Sequence, residues 1–146
     1  MDIIRLTPDL TDDFVALIGV MTIAFEEAAP SPPDRTHLRR LLARPDFWVL
    51  VAREGDTVIG GLTLYLLEQY TAPTPIAYLY DLAVAPDWQR RGIGRALITE
   101  ARTQCQAAGI SGLFVQADNT DTHALAFYRT LDPDEILEVT MFGWKG

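Results

Sequence analysis

The sequence predicts an α/β (α+β) fold, a mixed central β-sheet flanked by helices, with elements in the order β-α-α-β-β-β-α-β-α-β. Three observations carry that reading. Apolar residues recur every three or four positions over residues 7–28 and 92–109, the period of a helix with one buried face. Short runs rich in apolar and β-branched residues, bounded by Gly, Pro or Asp, mark strands between them. A strand–helix–strand crossover in the second half demands parallel pairing, while a tight turn in the first half demands antiparallel pairing, so the sheet must be mixed. At 146 residues and 49% hydrophobic, the chain suits a single domain, residues 1–146, with one core.

Each element has its own signal. "DIIRL" reads as a short first strand. In residues 7–28, Phe14, Leu17, Ile18, Met21 and Phe25 form a helical stripe, which "APSPPD" ends. "DRTHLRRLLA" reads as a second helix capped by Asp34. "FWVLVARE" and "TVIGGLTLYLLEQY" form a hairpin about Gly55-Asp56. "IAYLYDLAVA" is apolar on both faces and so reads as a central, buried strand. The helix over 92–109 closes at Gly109, "SGLFVQAD" is the next strand, "DTHALAFYRTL" the next helix and "EILEVTMFGW" a final strand. A lone last strand carrying Phe142 and Trp144 would leave an apolar edge, which points to a homodimer.

Composition narrows the function. A net charge of −8 argues against a nucleic-acid binder and favours a cationic partner. The single cysteine excludes an internal disulfide, and neither it nor the two separated histidines make a metal site, so no metal is expected. The N-terminal residues lack the pattern of a secretory signal and no apolar run has the length of a membrane span, so a cytoplasmic protein without membrane association is expected.

Against this acidic background, Gln89-Arg90-Arg91-Gly92-Ile93-Gly94-Arg95 is anomalous. Residues 86–105 carry a net +2, leaving −10 for the rest. A helix start presents unbonded N–H groups and the positive end of the helix dipole, and glycines let a ligand approach the backbone. Arginines there suit a phosphate or pyrophosphate. The turn is neither the dinucleotide fingerprint, since Leu97 stands where the third glycine belongs, nor a P-loop, since Gly-Lys-Ser/Thr is absent.

The segment resembles the acyl-coenzyme A signature Gln/Arg-x-x-Gly-x-Gly/Ala of the GNAT superfamily of N-acetyltransferases. A second segment, "DTHALAFY", is similar to the family's Asn-x-x-Ala-x-x-x-Tyr helix, with Asp121 in place of Asn. The resemblance implies acetyl-coenzyme A as acetyl donor. It implies a pyrophosphate held at Gln89–Arg95, pantetheine along Leu82, Ala83 and Val84, and further contacts from Ala124 and Phe127. It also implies Tyr128 as the acid that protonates the departing thiolate. "YLYDLAV" and "VQAD…DTHALAFY" narrow the likeness to the GNAT aminoglycoside 3-N-acetyltransferases.

Asp81 interrupts an apolar strand. Burial raises a carboxyl pKa, which suits a base working near neutrality, and an ammonium must lose a proton before it attacks a thioester. Asp81 is therefore the candidate catalytic base, or a holder of the cationic amine; an arginine partner across the sheet is the structural alternative. A strand bulge at Leu82 or Ala83 would free an amide to polarise the thioester carbonyl. Glu26, Glu27, Asp118 and Asp121 are candidate amine-binding carboxylates. Cys105 shares a helix face with Leu97 and Ala101 and reads as core. The expected activity is acetyl transfer to the 3-amino group of an aminoglycoside by direct attack in a ternary complex. The alternatives are another small amine, a protein amine, or a coenzyme A-binding sensor without catalysis.

Overall fold

A computed structural model describes residues 1–28 and 32–146. Residues 1–116 form one compact unit and residues 117–146 a second. Part of the expected helix-breaking stretch, residues 29–31, lies outside the described residues.

The first unit is a five-stranded sheet in sequential order, β1 (Asp2–Arg5), β2 (Phe47–Glu54), β3 (Thr57–Leu67), β4 (Ile76–Val84) and β5 (Leu113–Val115). The first three junctions are antiparallel and β4–β5 is parallel. The parallel junction is made by α3 (Ile93–Ala107), which crosses over between β4 and β5. Gly55 turns the β2–β3 hairpin at φ +59°.

Helices α1 (Thr11–Ala24) and α2 (Arg35–Leu42) bury Phe14, Leu17, Met21, Leu38 and Leu42 against Phe47, Val49, Val51 and Ala83. Side chains alternate along strands, so this set defines one face of the sheet. Buried Leu50 and Leu62 belong to the other face, which α3 covers with Leu97, Ala101 and Cys105. Cys105 is core as expected, and burial raises its thiol pKa. Asp34 caps α2 as expected, accepting from the His37 amide at 3.1 Å. The Arg53–Asp13 pair, at 3.0 Å, ties α1 to β2.

Gly61 sets how closely α1 approaches the sheet. A Cβ there would lie 2.6 Å from the Leu50 carbonyl oxygen and 2.7 Å from Leu17 Cδ1. Leu17, fully buried, occupies the space that the missing side chain leaves.

In the second unit, α4 (Thr122–Arg129) follows an Asp121 cap. The expected final strand is not formed. Residues 135–144 pair with no strand among the described residues, and Ile136, Leu137, Val139, Met141, Phe142 and Trp144 are exposed. β-type composition is only a preference for a packed, paired surface, and an extended segment without a ladder has nothing to hold it. The expectation that β4 is buried on both faces also needs correction: Ala77 and Leu79 are buried, whereas Tyr80 is exposed. α1 covers only part of that face.

Candidate active site

The site begins with an irregularity in β4. Thr63 pairs with Asp81 and Leu64 with Leu79, so Tyr80 is an extra residue, a β-bulge. The Asp81 amide, displaced from the regular ladder, donates to the buried Thr63 hydroxyl at 3.3 Å. The bulge at Tyr80 therefore lies two or three residues before the expected position: Leu82 and Ala83 stay in register with Leu62 and Gly61, and the diverted amide is that of Asp81 itself.

Beyond Leu79, β4 also loses its neighbour on the other side, because β5 pairs only with residues 77–79. Tyr80 to Val84 thus present a strand edge with no ladder partner among the described residues. Backbone N–H and C=O groups on such an edge seek an extended ligand with amide groups. Ala83 has its side chain in the core, so only its main chain is available there.

Asp81 is half-buried, and among the described residues no arginine or lysine pairs with it. Its pKa is raised, first by burial and then by the negative charge of Glu27. The carboxylate opens into a cavity of about 430 Å³, lined also by Ile18, Met21, Thr22, Phe25, Glu27 and Tyr80.

Glu27 reaches that cavity through a particular helix ending. The Glu26 amide donates to the Ile23 carbonyl at 3.1 Å and the Glu27 amide to the Thr22 carbonyl at 3.0 Å, the paired bonds of a Schellman motif. Its left-handed position, which favours glycine, is held by Glu26 at φ +55°. The two glutamates are thereby separated: Glu27 lines the cavity and Glu26 does not.

The loop after β4 leads into the start of α3. Gln89 Nε2 donates to the Val84 carbonyl at 3.0 Å, so its side chain closes the loop. Arg90, at φ +63°, and Gly92, at φ +80°, are both left-handed, and no side chain among the described residues caps the helix. Left-handed turns just before a helix let backbone N–H groups gather into an anion-binding concavity, and the unbonded N–H groups of the helix start add to it. Arg90, Arg91 and Arg95 are exposed around it, and the Arg91 guanidinium lies 4.9 Å from the Trp88 ring centroid. A Cβ on Gly92 would meet nothing within 4 Å, so torsion rather than crowding requires glycine there. Ile93 is buried and offers only its main chain.

The other candidates belong to the second unit. Asp118 Oδ1 accepts from the amide and hydroxyl of Thr120 at 2.8 and 2.7 Å, and these bonds lower its pKa. Asp121 Oδ1 accepts from the Ala124 amide at 3.0 Å. The cap needs only an acceptor oxygen, which Asp supplies as well as Asn. One oxygen of each carboxylate is thus spent on local structure. Ala124, Phe127 and Tyr128 lie along α4, with the Phe127 and Tyr128 rings edge to face at 5.2 Å.

The bulge, the open strand edge and the left-handed helix start are set in the order that an acyl-coenzyme A signature requires. The family model for the GNAT acetyltransferases matches residues 12–132. This chain belongs to the GNAT acetyltransferase family. Acetyl-coenzyme A is the acetyl donor of that family, and the open edge of β4 with the basic turn fits its amide-containing arm and its diphosphate.

The chain is similar to an aminoglycoside acetyltransferase from an uncultured soil metagenomic sample, solved in complex with trehalose. Identity is 42% and the TM-score 0.96, over 99% of this chain and 95% of that one. The same protein in complex with sisomicin matches at 41% identity. The [ribosomal protein bS18]-alanine N-acetyltransferase of Escherichia coli K12 is 34% identical over 85 residues, 58% of this chain and 53% of that protein. The aminoglycoside N(6')-acetyltransferase type 1 of Stenotrophomonas maltophilia is 31% identical over 94 residues, 62% of this chain and 61% of that one. The match thus spans little more than half the length of these last two relatives.

Sequence reasoning missed Thr63, Tyr80 and the α1 residues of the cavity wall. Thr63 carried no signal, because its role depends on the register across β3 and β4. Tyr78 and Tyr80 did carry one: aromatic residues two apart on a strand share a face, and a second polar-edged ring beside Asp81 marks that face as partly wet.

Proposed function

We propose that this protein is an acetyl-coenzyme A-dependent N-acetyltransferase whose acceptor is an amine of an aminoglycoside, the whole chain serving as one catalytic domain. One observation carries the reading. A half-buried carboxylate with a raised pKa, Asp81, stands on the open strand edge, one residue before Leu82, and opens into a cavity that also receives Glu27. The acceptor amine arrives as an ammonium and has no lone pair. Glu27 and Asp81 attract it, and Asp81 takes its proton so that the nitrogen attacks the thioester carbonyl directly, in a ternary complex. The main chain of Leu82 to Val84 aligns the donor's arm, and the amides and arginines of residues 89–95 hold its phosphates. Acetyl-coenzyme A supplies the activated acyl group, and Tyr128 protonates the leaving thiolate. The carboxylate argues for an enzyme over a coenzyme A sensor, which has no need of a base.

The aminoglycoside assignment is supported by the 42% identity over nearly the whole chain to an aminoglycoside acetyltransferase. The proposed position is the 3-amino group; the N(6') type of the Stenotrophomonas relative makes the 6'-amine its competitor. A second reading, acetylation of a protein N-terminus, is favoured by the similarity to the bS18-alanine enzyme. We place the protein in the cytoplasm, as a homodimer that covers the exposed Phe142 and Trp144. Thiol release from acetyl-coenzyme A, followed over a panel of aminoglycosides and N-terminal peptides, tests the reading. Turnover with peptides alone would overturn it, and mass spectrometry of the product decides the position.

A further inference from the structure

The face of the sheet under α1 carries a continuous row of aromatic rings that emerges into solvent. Phe14 of α1 covers Phe47, with ring centroids 6.1 Å apart. Phe47 meets Tyr65 at 5.0 Å, Tyr65 meets Tyr80 edge-on at 5.6 Å, Tyr80 meets Tyr78 edge-on at 5.8 Å, and Tyr78 stacks on Phe114 at 4.7 Å with planes 4° apart. Strand register makes the row: Phe47 pairs with Tyr65, Tyr65 with Tyr78, and Tyr78 with Phe114, while the bulge inserts Tyr80 between. Exposure rises along it, from 5% at Phe47 to 39% at Tyr65 and 57% at Tyr80, with Phe114 at 36%. The Tyr78 hydroxyl donates to Gln116 Oε1 at 2.8 Å, which fixes that ring. Soluble proteins rarely leave such a patch open without use.

Tyr80 belongs both to this row and to the wall of the cavity that holds Asp81 and Glu27. A ligand whose amine sits between those carboxylates shares the cavity with the Tyr80 side chain. Flat C–H faces of a sugar ring suit an aromatic face, and ring ammonium groups suit its negative quadrupole. We infer that Tyr80 and Tyr65 form a stacking subsite for a second ring of a cationic aminosugar, and so determine selectivity for multi-ring acceptors over simple amines. The inference rests on the reading that the acceptor is an aminoglycoside. It adds the aromatic platform to the carboxylates: charge attracts any polyamine, and the rings select a saccharide.

The test compares sisomicin, a multi-ring aminoglycoside, with 1,4-diaminobutane, which has two ammonium groups and no ring. Titration calorimetry measures the binding of each, and steady-state kinetics measures sisomicin KM and kcat. Tyr80→Ala should weaken sisomicin binding and raise its KM roughly tenfold, the scale of one lost stacking contact. Its kcat should change far less, and 1,4-diaminobutane binding should stay within twofold. Tyr80→Phe, which keeps the ring, should restore sisomicin affinity, and Tyr65→Ala should weaken it in the same sense. Circular dichroism checks that the variants fold. Sisomicin binding and KM within twofold of wild type in both alanine variants would overturn the inference while leaving the acetyltransferase reading intact. A wild type that acetylates no aminoglycoside overturns that reading. The calorimetric comparison then decides the subsite by itself, and sisomicin binding that ignores Tyr80 and Tyr65 removes it.

Discussion

Replacing Asp81 by Asn changes the least matter and the most chemistry. The side chain keeps its shape, and the bond that anchors this point of β4 runs from the backbone amide to Thr63, so the bulge survives. What disappears is a group able to take a proton. A positioned general base contributes about 10²–10⁴ in rate, so kcat should fall at least ~100-fold, a barrier increase of about 2.7 kcal/mol. The KM for acetyl-coenzyme A should hold, because Arg90 to Gly94 are untouched. Stability should move the other way. The folded pKa of Asp81 lies above its unfolded value. Its stabilising contribution is therefore present at low pH and lost as pH rises through the folded pKa. Asn never ionises, so near neutrality the variant should melt at the wild-type temperature or above. The assay is thiol release across pH, with thermal denaturation in parallel. In the wild type kcat/KM should decline on the acid side with an apparent pKa above the usual aspartate range, and the variant should lack that limb. Turnover within threefold of wild type, with the limb retained, would refute the role of Asp81.

Glu27→Gln removes the second cause of the Asp81 shift, so the acid limb should move to lower pH and the acceptor KM should rise; an unmoved limb would separate the two carboxylates. Glu26→Gly should stabilise the fold by up to about 1 kcal/mol in urea denaturation, since glycine accepts the left-handed position at little cost, and a loss of stability would contradict the strain argument. Gly61→Ala should destabilise by about 1–3 kcal/mol by pushing Leu17 and the Leu50 carbonyl apart, read as a lower denaturation midpoint. Gly92→Ala should raise the acetyl-coenzyme A KM through torsional strain in the turn, with the acceptor KM less affected; equal effects on both would show general damage.

The residues legible in the chain and those that are not divide along a physical line. Residues whose role depends on their neighbours in the chain were legible: Asp34 as a helix cap, Gly55 and Gly109 as left-handed turns, and the buried face of α3 containing Cys105. Gly92 was also legible as a turn glycine, and its φ of +80° gives the torsional reason. Residues 135–144 show the limit, because a strand is defined by its partner and composition names no partner.

The sequence by itself determined the helices, the mixed sheet and the basic turn before α3, since helical period, capping and glycine torsion are written in local order. Tertiary structure alone decided where Asp81 works. The bulge at Tyr80, the Thr63 hydroxyl beneath the Asp81 amide and the approach of Glu27 all arise from register between strands and from the ending of a distant helix. A pKa follows from burial and from charges nearby in space, and neither is a property of adjacent residues in the chain.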